Sequence, residues 1–143
     1  MNVLQKTNFA NLGKRLEGKV RDIYEQKHRV ILISTDRHSS FDRIIAHVPG
    51  KGEVLNRLSA FWFQKTADIV PNHLLAVPDQ NVTIAKRCTP LPIEVVMRGY
   101  LTGVTGTSLW THYQKGKRDF GSFMLPDGMK KNNKLKKAVF TPS

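Results

Sequence analysis

The sequence predicts an α+β fold, a mainly antiparallel sheet with one helix packed on it. Three features carry that expectation. Two strand-like stretches stand only two residues apart near the N-terminus, a run with helical spacing lies between a glycine-rich turn and a proline, and a proline-bearing connector separates this part from a less regular remainder. The chain has 143 residues, of which 40% are apolar. That is enough hydrophobic material for a buried core, and the length of one domain or of a domain and part of another.

The first strand reads from Gly18 to Glu25, where apolar Val20 and Tyr24 alternate with charge. The second, His28 to Ser34, is β-branched and nearly continuous, as in a strand covered on both faces. Only Gln26 and Lys27 separate them, which predicts an antiparallel hairpin. Thr35 to Asp42 is polar and reads as a loop, Ile44 to Val48 as a short strand, and Pro49-Gly-Lys-Gly52 as a turn. From Glu53 to about Asp68, Leu55, Leu58, Trp62 and Phe63 recur with helical spacing and are expected to face the core. Pro71 and Asn72 end the helix, and strands follow at His73–Val77 and Val82–Arg87.

Pro90 and Pro92 lack amide donors and hold their predecessors extended, so this segment reads as a stiff connector. Ile93 to Tyr100 resumes a strand, and Thr107 to Lys115 predicts a short helix with Leu109 and Tyr113 on one face. Trp110, like Trp62, is expected in the core. Beyond Gly116 only the Pro126-Asp-Gly128 turn stands out, and no closing element is expected.

Several function classes are excluded by composition. The longest apolar runs, such as Val30–Ile33, fall far short of the roughly 20 residues that cross a bilayer. The N-terminus carries no secretory signal pattern, so a cytoplasmic protein is expected. Cys88 is the sole cysteine, which rules out an internal disulfide and a cysteine-based zinc site within one chain. The net charge of +12 is uneven, with an excess of five cations over residues 1–94 and seven over 95–143, where Lys130, Lys131, Lys134, Lys136 and Lys137 form one run. Such a field attracts phosphates, nucleic acid or acidic metabolites, and charge alone does not choose among them.

Three clusters carry chemistry. Gly18-Lys19-Val20-Arg21 sets a glycine and two cations in a strand opening a hairpin, where amides and charges can lie over a triphosphate. Asp36-Arg37-His38-Ser39-Ser40-Phe41-Asp42 follows a buried strand, a place where rigid scaffolds present binding groups. Glu94 and Arg98 share a strand face, and an arginine fork there can grip a carboxylate or phosphate or else form an internal ion pair.

In order along the chain, these clusters closely resemble the SAICAR synthetase (phosphoribosylaminoimidazole-succinocarboxamide synthase) family. The matching stretches include Gly18–Tyr24, Thr35–Asp42, Lys51–Ser59 with Phe61–Phe63, Leu91–Gly103, Trp110–Gly116, Leu125–Gly128 and Phe140–Ser143. The resemblance implies a kinase-like N-terminal lobe over residues 1–87, then a hinge and a truncated second, substrate-binding domain over 88–143. It implies a ligase that uses ATP and Mg²⁺ to join 4-carboxy-5-aminoimidazole ribonucleotide to L-aspartate through an acyl phosphate, giving ADP and phosphate.

Carried over by position, Gly18, Lys19, Val20 and Arg21 would cover the ATP phosphates, and the hinge of Lys86, Arg87 and Cys88 would read adenine. Asp36, Arg37, Ser39, Ser40 and Asp42 would lie on the aspartate side. Glu94 and Arg98 would face the imidazole nucleotide. The family pattern places a serine after Thr102-Gly103, where this chain has Val104, so Thr105 or Ser108 would supply the hydroxyl. No catalytic residue and no metal ligand is assigned within this chain, because the acidic motif that holds Mg²⁺ belongs to the part not represented here. Small-molecule substrates are the expected partners, with self-association through faces left uncovered. The competing readings are a basic nucleic-acid-binding module and a nucleotide-binding pseudo-enzyme; the sequence lacks a recognition helix or interleaved exposed aromatics for the former.

Overall fold

The β-branched run is the middle strand of a five-stranded antiparallel sheet. In the computed structural model, which describes residues 2–142, strands β1 (Lys14–Glu17), β2 (Arg21–Glu25) and β3 (Arg29–Ser34) form a meander. Strands β6 (Leu74–Asp79) and β7 (Val82–Lys86) complete the order β1-β2-β3-β7-β6. The hairpin expected between β2 and β3 is formed, with Tyr24 opposite Ile31 and Glu25 opposite Val30. The chain divides into two units after Thr89.

Cross-strand partners share a face of a sheet, so register assigns the two faces of the first unit. One carries Tyr24, Ile31, Ile33, Val82 and Ile84, and the N-terminal segment covers it through Leu4 and Leu12. The other carries the row Leu16, Ile23, Leu32 and Thr83. Helix α1 (Lys51–Lys65) lies against part of this second face, where Thr83 Oγ1 donates to Asn56 Oδ1 at 2.8 Å.

The helix is where the sequence predicts one, starting two residues earlier, but its buried side is different. Gly52, Asn56 and Ala60 face the sheet, while Leu55, Leu58 and Trp62 are exposed, Trp62 at 57%. The reason is close approach. A Cβ at position 52 would collide with the Ser34 carbonyl oxygen, so the helix backbone sits directly on the end of β3, and only a stripe of small or hydrogen-bonding residues fits beneath it.

In the first unit two strands appear where none was expected. The first is β1, which makes Gly18-Lys19-Val20 the tip of a β1–β2 hairpin instead of residues inside a strand. The second is β4 (Arg37–Ser40), which pairs with β5 (Arg43–His47) through a two-residue turn. Phe41 and Asp42 make that turn with φ of +46° and +65°, the left-handed pair that the right-handed twist of hairpin strands favours. Neither is the usual asparagine or glycine, which is why the turn is silent in the sequence.

The second unit is a two-stranded sheet, β8 (Val95–Tyr100) with β9 (Lys134–Pro142), and a short helix α2 (Leu109–Gln114). Leu101, Leu109, Tyr113, Leu125 and Leu135 form its core, with Trp110 packed against them. Leu109 and Tyr113 share the buried face of α2 as expected. The closing strand β9 was not expected, because lysines at 134, 136 and 137 mask the buried Leu135 between them.

Candidate functional site

The first unit gathers several of its candidate residues around the β1–β2 tip. Gly18 N donates to Arg21 O at 2.8 Å to close the turn, and Val20 O accepts both Thr35 N (3.0 Å) and Thr35 Oγ1 (2.9 Å). The Lys19 ammonium pairs with the Asp42 carboxylate at the tip of the β4–β5 hairpin. Arg21 opens β2 on the same face as Ile23, exposed to solvent. Beside it Leu16, Ile23 and Leu32 are only partly covered, and a depression of about 180 Å³ is lined by Arg21, Leu32, Phe63 and His73 among others. Two cations at the end of an open apolar floor suit a ligand with a flat ring and a phosphate chain.

Asp36 and Arg37, which the resemblance places on the aspartate side, are turned into the protein. Both are 3% exposed and fully engaged with the protein. Asp36 Oδ1 accepts the Gly52 amide (2.9 Å) and Oδ2 the Leu4 amide (2.9 Å), so it caps α1 from the bend between β3 and β4. Burial pushes its carboxyl pKa up, but the amides of Gly52, Leu4 and Gly50 and the charge of Lys51 outweigh this and hold it below the usual value.

Arg37 donates through Nε to Lys19 O (3.1 Å), through Nη1 to Gln5 O (2.6 Å), and through Nη2 to Gly18 O (2.9 Å) and Asp22 Oδ1 (3.0 Å). A guanidinium so committed has no fork left for a substrate. Ser39 and Ser40 are half-buried in β4, and Asp42 is exposed at its tip.

Lys86, Arg87 and Cys88 are exposed at the end of β7 and just beyond it. The Lys86 amide donates to His73 O (2.8 Å) and the Arg87 amide to His28 O (3.0 Å), and the Arg87 guanidinium stands 3.6 Å from Glu25. Two of the three hinge amides are therefore spent within the sheet.

In the second unit, Glu94 lies just ahead of β8 and is exposed, while Arg98 is half-buried within it. They form no ion pair; Arg98 Nε donates to Thr141 Oγ1 at 2.9 Å. Val104 is 83% exposed and Thr105 also lies in the exposed loop. Ser108 is buried, caps α2 by accepting the Thr111 amide, and sits against Gly103, where φ is +120° and a Cβ would collide with the serine. Residues 104–107 are thus extruded, and the hydroxyl adjoining Gly103 is that of Ser108.

A pocket of about 240 Å³ gathers Arg98 with His112 and Lys117, together with Thr107 and Thr141. Neither Thr105 nor Ser108 lines it. His112 and Lys117 were missed by sequence reasoning, since no spacing links them to Arg98 before the chain folds. Among the described residues no three His, Cys, Asp or Glu side chains gather as a metal site, and no helix is long and apolar enough to cross a membrane.

The sequence profile of SAICAR synthetase matches residues 14–143. The chain belongs to the SAICAR synthetase family. A phosphoribosylaminoimidazole-succinocarboxamide synthase of Legionella pneumophila (strain Paris) is 56% identical over 92% of this chain, which spans 42% of that protein. The chloroplastic synthase of Vigna aconitifolia is 51% identical over 99% of this chain and 43% of its own length. Among solved structures, the Saccharomyces cerevisiae SAICAR synthase complexed with SAICAR superposes with a TM-score of 0.81 at 28% identity, covering 98% of this chain and 54% of that one. A type-2 SAICAR synthetase in complex with ADP shares the fold, with a TM-score of 0.67 at 20% identity over 90% of this chain and 49% of that one. This chain therefore spans about half the length of the SAICAR synthetases it matches, and its mainly antiparallel α+β fold is theirs.

Proposed function

We propose that this chain supplies the ATP-holding sheet and part of the substrate site of a SAICAR synthetase. The observation that carries this reading is the pairing of Lys19 and Arg21 at a hairpin tip with the open floor of Leu16, Ile23 and Leu32. On this reading residues 1–87 hold ATP, with adenine on the apolar floor and the phosphates under Gly18, Lys19, Val20 and Arg21. Lys86 and Arg87 shape the hinge, and backbone reading of the base falls to Cys88. Over residues 88–143, Arg98 with His112 and Lys117 offers a cationic pocket for the phosphate of an imidazole ribonucleotide, with Glu94, Thr105 and Ser108 nearby in sequence.

The chemistry asks for such cations. A carboxylate is a poor acceptor for an amine until its oxygen takes the γ-phosphoryl group of ATP, releasing ADP. The amine of L-aspartate then attacks the acyl phosphate, loses a proton, and phosphate departs with the former carboxylate oxygen. Charge moves across the phosphoryl group throughout, and fixed cations stabilise it. The donor set described here offers no three-ligand site for Mg²⁺, so we assign the ion to none of these residues. A cytoplasmic location fits the pathway. Val54, Leu58, Phe61 and Trp62 on the exposed side of α1 support self-association.

Arg21→Ala tests this placement. Arg21 is exposed, so its loss leaves the unfolding midpoint in place. ADP affinity is expected to fall about tenfold, the size of one lost charge-assisted contact. Unchanged affinity would remove Arg21 from the phosphate site. The chain alone is expected to bind nucleotide without forming product, and succinocarboxamide synthesis by it would contradict that part.

A further inference from the structure

The β4–β5 hairpin holds Lys19 at both ends. At its tip, Asp42 pairs with the Lys19 ammonium; at its base, the Arg37 guanidinium bonds the Lys19 carbonyl oxygen and also that of Gly18. The same guanidinium reaches Gln5 O in the N-terminal segment and Asp22 Oδ1 inside β2. Both arginine and aspartate are sealed from solvent, so this brace is not loosened by competing water.

A turn of three residues carrying a glycine has ample freedom of its own. Two of the four bonds, those to Gly18 O and Lys19 O, come from one rigid plane and remove that freedom, because the guanidinium cannot satisfy one carbonyl without fixing the other. We propose that Arg37 is the positioning residue of the Gly18–Val20 turn, holding its carbonyl groups inward so that Lys19 and Arg21 are set for an anionic ligand before it arrives. The ligand class rests on the proposed nucleotide site; the ordering of the turn does not. Arg37 acts only through the turn and touches no ligand.

Lysine at position 37 keeps a charge beside Asp22 but cannot serve the carbonyls of Gly18, Lys19 and Gln5 together. The comparison variant is Ile31→Val, which loosens the apolar face away from the turn. Hydrogen exchange of the Gly18 amide, whose bond to Arg21 O closes the turn, reports order there, and ADP titration reports its consequence. Arg37→Lys is expected to speed Gly18 exchange at least tenfold more than Ile31→Val and to weaken ADP binding about tenfold, while Ile31→Val binds ADP as the parent chain does.

Equal Gly18 exchange in the two variants would overturn the proposal. In the parent chain, Gly18 is expected to exchange as slowly as the Ile31 amide, and exchange by local fraying would overturn it as well, even if Arg37→Lys does not fold. A parent chain that binds no ADP would overturn the nucleotide reading, while the exchange comparison would still decide the role of Arg37.

Discussion

Asp22→Asn is expected to destabilise the first unit by about 3–5 kcal/mol, the cost of stranding a buried charge. Asp22 is 0% exposed and accepts from four groups: the Thr7 amide (2.6 Å), Thr7 Oγ1 (2.8 Å), Arg37 Nη2 (3.0 Å) and Arg15 Nη2 (3.1 Å). An asparagine leaves the sealed Arg37 without its counter-charge and turns an amide donor toward other donors. Urea denaturation at neutral pH measures the loss.

The same carboxylate makes stability depend on acid. Burial pushes the Asp22 pKa up, but the hydrogen bonds from Thr7 and the two arginines outweigh it, so it titrates below its ordinary 3.8. Asp36 is shifted in the same direction. In the window between folded and unfolded values the unfolded chain binds more protons, so stability rises with pH there. The stabilisation is fully present above about pH 4 and is lost as pH falls through the depressed values. Asp22→Asn is expected to flatten this acid limb, and an unchanged limb would place the effect elsewhere.

Gly52→Ala is the second large loss. The new Cβ would collide with the Ser34 carbonyl oxygen and stand 2.7 Å from Asn81 Nδ2, and the first of these is backbone that cannot turn aside. To relieve the clash α1 must lift from β3, loosening the Gly52 amide bond to Asp36 and the Asn81 bond to Ser34. Overpacking of this kind costs up to about 3 kcal/mol. The roughly 1 kcal/mol that alanine gains as a helix former does not recover it. A midpoint within experimental error of the parent would show that the helix does not rest on the strand as described.

How far the sequence could be read depended on whether a local pattern or a distant partner decided each element. The β2–β3 hairpin and α1 were legible because β-branched residues and helical spacing act locally. The buried side of α1 was not, because Gly52 and Asn56 face the sheet for reasons set by β3 and Thr83. The strand β4 was hidden for a related reason. Its polar residues read as loop, and what buries Arg37 is three carbonyl oxygens on two other segments, which no spacing rule can see.

The candidate site divides along the same line. Lys19 and Arg21 were visible as cations beside a glycine, although the turn that carries them needed β1 to define it. Asp36 and Arg37 were placed on the aspartate side on the strength of resemblance; in the structure both are buried and bonded to the protein's own backbone, which no local spacing announces. Ser108 comes against Gly103 only because residues 104–107 loop out, and its hydroxyl caps α2 there.

The most direct test is calorimetric titration of the chain with MgATP, with a short DNA duplex at the same salt concentration as the reference. Saturable one-site binding of ATP, with no heat from the duplex, is the predicted result. A chain that takes up the duplex through its excess of positive charge and leaves ATP unbound would contradict the account.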